Sequence, residues 1–456
     1  MIEKWCKNTW GGFNLLVSDI IKAVPCIKSN IVCDKEINGA FLDSRLVKKN
    51  SLFFASKGEN VDGNLYAESA INKGAAAVIM DNMSEYDKID GNKILVNNTL
   101  EYMQALGRYN FERVHKNNVR IIAVTGSFGK TGMKEMLKYI FEENEKVYAT
   151  EGNKNNMLGV LLTGCGIDDN AATIIIELGS NNFGEIKELT EIVRPHMAIV
   201  TSVGHAHIGR FKTFERLIFE KMSISDGLVA GGEFIIPTKL TPFVPKGDFK
   251  FRTFGESAHS GIRITEYKHN GEYITFKTNL TKSEFRLNHP YLHVAENSLC
   301  AIYAALLCNI SEEKIASGLL NYKAAKGHGS IEKIGDIFLI DDSYNAGFES
   351  FIKSTESLNL INISPKYAIY GEMGEIEGFE EAFYNEITQL AYTYKDITFF
   401  LVGENYQKAS NLENRIIFAT KEECIKKVKE INCGAIVVKA SRAKKFEDIV
   451  NAIKEK

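Results

Sequence analysis

The sequence predicts an α/β protein built from three blocks, and three observations carry that prediction. Its 456 residues suffice for about three cores at roughly 100–200 residues per domain. Short apolar, β-rich runs alternate with stretches of helical spacing along most of the chain. One such run, residues 120–124, feeds through a glycine loop into a helix, the pattern of a phosphate-binding turn. The blocks divide near residues 100 and 321, giving 1–100, 101–321 and 322–456.

In the first block, residues 51–55 and 75–80 read as strands with a helix over 66–73 between them. In the second, strand 120–124 precedes a helix over 134–141, where Met136, Leu137, Ile140 and Phe141 share one face. Residues 173–178 and 197–203 are apolar runs of the kind that buried parallel strands show. From 249 to 287 the pattern alternates, with Asn270-Gly271 as a hairpin turn. A helix over 296–307 closes this block. In the third, residues 337–340, 367–370, 398–402 and 435–438 read as strands.

Composition narrows the function. With 55 basic against 58 acidic side chains, the net charge of −3 excludes a generally basic, nucleic-acid-coating surface. Only 7 prolines and 36 glycines argue against a disordered or linker-dominated chain. No apolar run approaches the ~18–20 residues needed to span a bilayer. The N-terminal residues lack the apolar core of a secretory signal. The 8 cysteines show no Cys-x-x-Cys spacing, so a zinc site is not expected. These features point to a reduced, cytoplasmic setting.

The chemistry concentrates in Gly126-Ser127-Phe128-Gly129-Lys130-Thr131. Glycines let backbone N–H groups turn inward around phosphate oxygens, and the following helix N-terminus adds partial positive charge. Lys130 would meet the terminal phosphates of ATP, and the Thr131 hydroxyl would coordinate Mg²⁺. Glu177 ends an apolar strand, where a carboxylate can hold that metal; alone, such an acid is more often a solvated loop residue. His205-Ala206-His207 follows another strand and could bind metal, though such histidines are more often ordinary loop residues. Lys221 lies in a helical stretch, usually a solvated position. Asp341-Asp342-Ser343-Tyr344-Asn345 ends a third strand at a ligand-facing position.

Taken together these residues resemble the Mur ligases of peptidoglycan synthesis, in the family's own order and over nearly the whole chain. Asp43-Ser44-Arg45, with 51–55 and 58–63, resembles the domain that holds the uridine nucleotide. Residues 125–131 and Lys134-Glu135-Met136-Leu137 match the family's ATP loop and helix. Gly152-Asn153-Lys154-Asn155-Asn156, Glu177-Leu178-Gly179, Ala206-His207 and Glu220-Lys221 match central motifs, and His293 with Asn297 match the nucleotide-contacting helix. Asp341-Asp342-Ser343-Tyr344-Asn345-Ala346 and Lys439-Ala440-Ser441-Arg442 favour the branch that adds D-alanyl-D-alanine to UDP-N-acetylmuramoyl-tripeptide.

The resemblance implies a UDP-sugar-binding first domain, a P-loop-type ATP-binding centre and a Rossmann-like C-terminal domain. It implies substrate contacts at Ser44, Arg45, Asn153 and Asn156. Nucleotide contacts follow at Gly126, Ser127, Gly129, Lys130, Thr131, Asn297, Asp341, Tyr344 and Asn345. Catalysis falls to Lys130, Glu177, His207 and Lys221, and metal binding to Thr131, Glu177, His207 and a carbamylated Lys221. The partners are small molecules, UDP-sugar-peptide and D-Ala-D-Ala, taken by a monomer.

The sequence departs from the family pattern at Gly132-Met133, Asn64, Ser202, Gly209, His328 and Gly347-Phe348. His328 stands where an arginine is common. Three other readings share the loop: a paralogue joining a different amine and acid, a binding protein without ligase activity, and a simple ATPase or phosphotransferase.

Overall fold

The computed structural model describes residues 15–58, 61–206 and 208–455. His207 therefore lies outside the described residues. Four sheets follow one another along the chain.

The first sheet orders its strands Lys28–Asn30, Lys93–Leu95, Ala77–Met80, Leu52–Ala55 and Ala40–Phe41, all parallel except the first. The expected helix over 66–73 is a 3₁₀ turn, Gly63–Tyr66, continued by the helix Ala67–Asn72. The helix Thr99–Lys116 then runs past residue 100. Its Tyr102, Met103 and Leu106 pack with the first sheet, while Phe111 and Val114 join the next core. Gly107 approaches Leu161 so closely that a Cβ would lie 2.5 Å from its carbonyl oxygen.

The central sheet has six parallel strands in the order Phe249–Phe254, Gly232–Pro237, Met197–Val200, Arg120–Thr125, Thr173–Glu177 and Val147–Ala149. Strand order reverses at Arg120–Thr125, and a crevice opens beyond the carboxyl ends of strands at such a switch point. The alternating segment 249–287 splits. Its first strand, Phe249–Phe254, extends the central sheet as a parallel edge, whereas Ile264–His269, Ile274–Thr278 and Phe285–Leu287 form an antiparallel meander. Asn270-Gly271 makes the expected turn, with Gly271 at φ +96°.

The last sheet orders Ser330–Ile334, Asp336–Asp342, Cys433–Lys439, Lys366–Tyr370, Ile397–Val402 and Arg415–Phe418, with only the first strand antiparallel. Its core includes Phe338, Ile340, Phe351, Tyr370 and Leu401. Among the described residues no helix is long and apolar enough to cross a membrane. Of the seven cysteines among these residues, four are buried.

Candidate active site

A cleft of about 590 Å³ lies where the carboxyl ends of the central and C-terminal sheets face each other. Its central wall starts with the strand Arg120–Thr125, buried beyond its first residue. Gly126 follows at φ +152°, and a Cβ there would meet Thr201 Oγ1 at 2.1 Å. Gly129 adopts φ +80° and caps the helix Lys130–Glu142, under the side chain of Asn297. Side chains stitch the loop in place. Ser127 Oγ donates to the Gly204 carbonyl at 3.0 Å, and Ser202 Oγ accepts from Phe128 N at 3.1 Å. Lys130 Nζ curls onto the loop carbonyls of Gly126 and Ser127, at 2.8 and 3.3 Å, and burial lowers its pKa.

Beneath the loop, Thr131 Oγ1 donates to Glu177 Oε2 at 3.0 Å and Asn155 Nδ2 donates to Glu177 Oε1 at 2.8 Å. Glu177 is only 1% exposed. Buried Lys134 anchors the adjoining turn through the carbonyls of Thr150 and Gly152. Mg²⁺ takes one or two carboxylates, substrate phosphates and several waters. A half-buried hydroxyl paired with a buried carboxylate beside a phosphate loop fits that donor set. Lys221, 1% exposed on the helix Phe214–Met222, donates to Ser180 Oγ at 2.8 Å. Burial, aided by the charge of Lys130, lowers its pKa to about 7. Glu220 beside it accepts from Gly184 N and Ile186 N, holding the start of the helix Glu185–Val193.

The opposite wall comes from the C-terminal sheet. Lys439 Nζ pairs with Asp342 Oδ2 at 2.6 Å and donates to the Asn345 carbonyl at 3.3 Å. Burial pushes the Asp342 carboxyl up against the pull of Lys439. Tyr344 lies between the His328 ring, 4.4 Å away, and the Arg442 guanidinium, 5.2 Å from its centroid. Asn153, from the central side, lines the same cleft. His328 is pushed down to about 4 by burial, then by the charges of Lys439, Lys134 and Lys130. It is neutral at pH 7 and does not replace an arginine's charge.

The cleft thus gathers Ser127, Gly129, Lys130, Thr131, Glu177, Asn153, Asn297, Tyr344 and Asn345. Other expected residues stand elsewhere. Asp341 stands apart from the cleft lining: adjacent strand residues face opposite sides, and its buried carboxylate turns to Ser343 while Asp342 lines the cleft. Asn156 caps the helix Met157–Cys165 by accepting from Gly159 N at 2.9 Å, and Asn155 faces Glu177 instead. Ser44 and Arg45 sit on the first sheet's 3₁₀ turn, where Arg45 pairs with Asp43 at 2.7 Å. That contact holds the Asp43 carboxyl down at about 2. Asn155, Ser180, Asp342 and Lys439 line the cleft without having been assigned individual roles. Asp342 and Lys439 belong to recognisable motifs, but nothing local marks Ser180.

Residues 36–111 match the Mur ligase family catalytic domain, and residues 124–305 match the Mur ligase middle domain. The UDP-N-acetylmuramoyl-tripeptide–D-alanyl-D-alanine ligase of Treponema pallidum is 30% identical over 369 residues, covering 76% of this chain and 77% of the relative. The ligase of that name from Rickettsia prowazekii is 29% identical over 429 residues, covering 91% and 94%. Among solved structures, MurF from Acinetobacter baumannii superposes with a TM-score of 0.81 at 24% identity, over 98% of this chain and all of that one. MurF ligase from Thermotoga maritima, in complex with ADP, gives 0.75 at 21% identity over 92% and 97%. With the glycine loop, the facing sheets and these relatives together, the chain belongs to the Mur ligase family.

Proposed function

We propose that the chain uses ATP to join D-alanyl-D-alanine to UDP-N-acetylmuramoyl-tripeptide, a step of peptidoglycan precursor synthesis. The observation that carries this reading is the facing of the carboxyl ends of two sheets across one cleft. Lys130, Thr131 and Glu177 stand on one wall, and Asp342, Tyr344 and Lys439 on the other. Relatives matched over 91% and 76% of this chain bear the name of that ligase.

A carboxylate is a poor electrophile, and ATP supplies its activation. The tripeptide's terminal carboxylate oxygen attacks the γ-phosphorus, the bond to ADP breaks, and an acyl phosphate forms. The dipeptide's amine then attacks the acyl carbon, losing a proton as phosphate leaves. Lys130 exchanges its loop carbonyls for phosphate oxygens, and the loop amides between Gly126 and Thr131 complete the cradle. Thr131 and Glu177 hold Mg²⁺, which when bound neutralises charge on the transferring phosphate. Asn297, Tyr344 and Asn345 flank the nucleotide. Asp341 shapes their loop through Ser343.

His207 and Lys221 would support a second Mg²⁺. A bare ammonium repels a metal ion, whereas a carbamate is an anionic oxygen ligand. With its pKa lowered to about 7, Lys221 offers the neutral amine that carbamylation needs. Ser44, Arg45, Asn153 and Asn156 are assigned to the nucleotide-peptide, Asn156 through its helix cap. The division at residues 100 and 321, a monomeric state and a cytoplasmic setting belong to the same reading.

Phosphate release tests it. Turnover should require ATP, Mg²⁺, UDP-N-acetylmuramoyl-tripeptide and D-Ala-D-Ala together. Turnover only with a different amine or acid would replace the substrate assignment, and full turnover without the dipeptide would replace ligation with ATP hydrolysis.

A further inference from the structure

The peptide unit between Gly204 and His205 is pinned from both sides. Its carbonyl accepts from Ser127 Oγ of the phosphate loop at 3.0 Å. Its nitrogen donates the other way, to both oxygens of the Glu349 carboxylate at 3.0 and 3.1 Å. Ser127 Oγ also accepts from Gly204 N at 3.1 Å, and the His205 ring meets the Glu349 carboxylate. Glu349 lies in the first turn of the helix Phe348–Leu360, where the helix dipole favours a carboxylate. A peptide unit is planar and nearly rigid, so turning it to suit one partner moves it off the other.

The two sides also close on Gly204 itself. A Cβ there would lie 2.7 Å from Phe128 Cε1 of the phosphate loop and 2.9 Å from Glu349 Cδ. Just upstream, Thr201 Oγ1 and Ser202 Oγ both donate to the Phe128 carbonyl, at 2.7 and 2.8 Å. Just downstream, Arg210 pairs with the Glu375 carboxylate of the C-terminal block at 2.7 Å. Aromatic rings pack over the junction. His205 stacks on Phe214 at 4.9 Å, and Phe383 lies 5.5 Å from His205 and 4.3 Å from Phe348.

We propose that Glu349 is a positioning residue for the phosphate loop, acting through the Gly204–His205 peptide, so that ATP is held tightly only with the C-terminal block docked. The inference rests on the ATP assignment above and is independent of which acid and amine are joined. Glu349 and His205 are 144 positions apart, so their contact exists only when the two blocks meet. Charge-assisted bonds to backbone N–H groups are stronger than neutral ones. An N–H held by a carboxylate also polarises its own carbonyl toward the partner on the far side, here Ser127. The link is reciprocal: ATP that fixes the loop favours the docked block by the same factor. ATP then meets its full set of phosphate contacts in a cleft from which water is excluded.

The test uses the full chain with Glu349→Ala, Glu349→Gln, Ser127→Ala and the double variant of Glu349→Ala with Ser127→Ala. Titration calorimetry measures the binding of ATP with Mg²⁺, and amide exchange over residues 126–131 reports the loop. In Glu349→Ala the dissociation constant for ATP should rise about tenfold, within the usual range for coupled sites, and exchange over 126–131 should rise with it. The helix Leu292–Leu307 should keep its protection, which separates a loosened loop from a loosened fold. Both side chains act on one peptide unit, so their losses should not add. In the Ser127→Ala background, Glu349→Ala should raise the dissociation constant less than about threefold further. Glu349→Gln keeps one acceptor oxygen without the charge and should fall between wild type and Glu349→Ala, so the inference remains testable if Glu349→Ala fails to fold. Wild-type ATP binding in either Glu349 variant, or fully additive losses in the double variant, would overturn the inference. ATP binding and coupling as expected, with no turnover of the tripeptide and D-Ala-D-Ala, would overturn the proposed function alone.

Discussion

The Thr131 hydroxyl donates to the Glu177 carboxylate at 3.0 Å, so the residue after the loop lysine and the last residue of the neighbouring strand form one half-buried oxygen pair. Glu177→Gln keeps the shape and removes the charge. We expect kcat to fall about 10²–10³-fold, the range for losing one electrostatic stabiliser, with Tm close to wild type. Thr131→Ala should raise the Mg²⁺ concentration needed for half-maximal rate. Near-wild-type kinetics in both variants would remove this pair from the metal site.

Gly126 tests the loop's geometry independently of charge. An alanine Cβ would stand 2.1 Å from Thr201 Oγ1 and 3.0 Å from the backbone of Ser202. Overpacking of this kind costs about 1–3 kcal/mol. Gly126→Ala should lower the denaturation midpoint and weaken ATP binding together. A variant stable and tight for ATP would mean that the loop relaxes freely.

At a pKa of about 7, half of the Lys221 amines are neutral at pH 7, against roughly one in 2,500 for an ordinary lysine near 10.4. Carbamylation forms an N–C bond between that neutral amine and CO₂ and releases a proton. Enzyme stripped of CO₂ should lose activity and regain it with bicarbonate, more slowly as pH falls below 7. Lys221→Ala should be inactive and partly rescued by short carboxylates. Full activity in Lys221→Ala would end the carbamate assignment.

His196, His289, His293 and His328 are each pushed down to about 3 or 4, chiefly by burial. The unfolded chain takes up protons near pH 6.5 that the folded chain refuses. Their contribution is fully present above pH 6.5 and is lost as pH falls toward 3–4, at about 1.4 kcal/mol per pH unit per histidine. Urea midpoints should therefore drop steeply between pH 6.5 and 5. His196→Asn, whose side-chain oxygen can replace Nδ1 as acceptor for Ile121 N, should flatten that slope by about one proton. An unchanged slope would exclude His196 as a contributor.

His328→Arg would add a permanent charge where Lys130, Lys134 and Lys439 already act. Without an anion that charge is uncompensated, and burying it is costly. The variant should melt lower than wild type when empty and gain more stability from ATP. Equal ATP-induced shifts in Tm would show that position 328 does not face the phosphates.

Local pattern exposed the glycine loop, the apolar strands and the residues at their ends, because continuous apolar runs and a strand–glycine–helix junction are written in neighbouring positions. It could not choose between Asp341 and Asp342, since which of two adjacent acids faces the cleft depends on the register with Cys433–Lys439. Contacts across the chain were also invisible. Asn64 departs from the family pattern, yet it is 2% exposed and turned inward to hold Asp62 and Asp81. Ser202 and Gly209 likewise find their reasons in Phe128 and Glu377, which sequence distance hides.

The helix Thr99–Lys116 carries a consequence for anyone dissecting the chain. One half of its buried face completes the first sheet's core and the other half the central core. Asn110 also ties it to the carbonyls of Gly164 and Cys165. A fragment cut at residue 100 would leave two torn apolar surfaces, whereas a cut after Asn321, where the helix Glu312–Asn321 ends, uncovers the seam where Ile208 and Tyr291 join the C-terminal core. The first and central blocks should therefore travel together as one fragment, with the C-terminal third as the detachable partner.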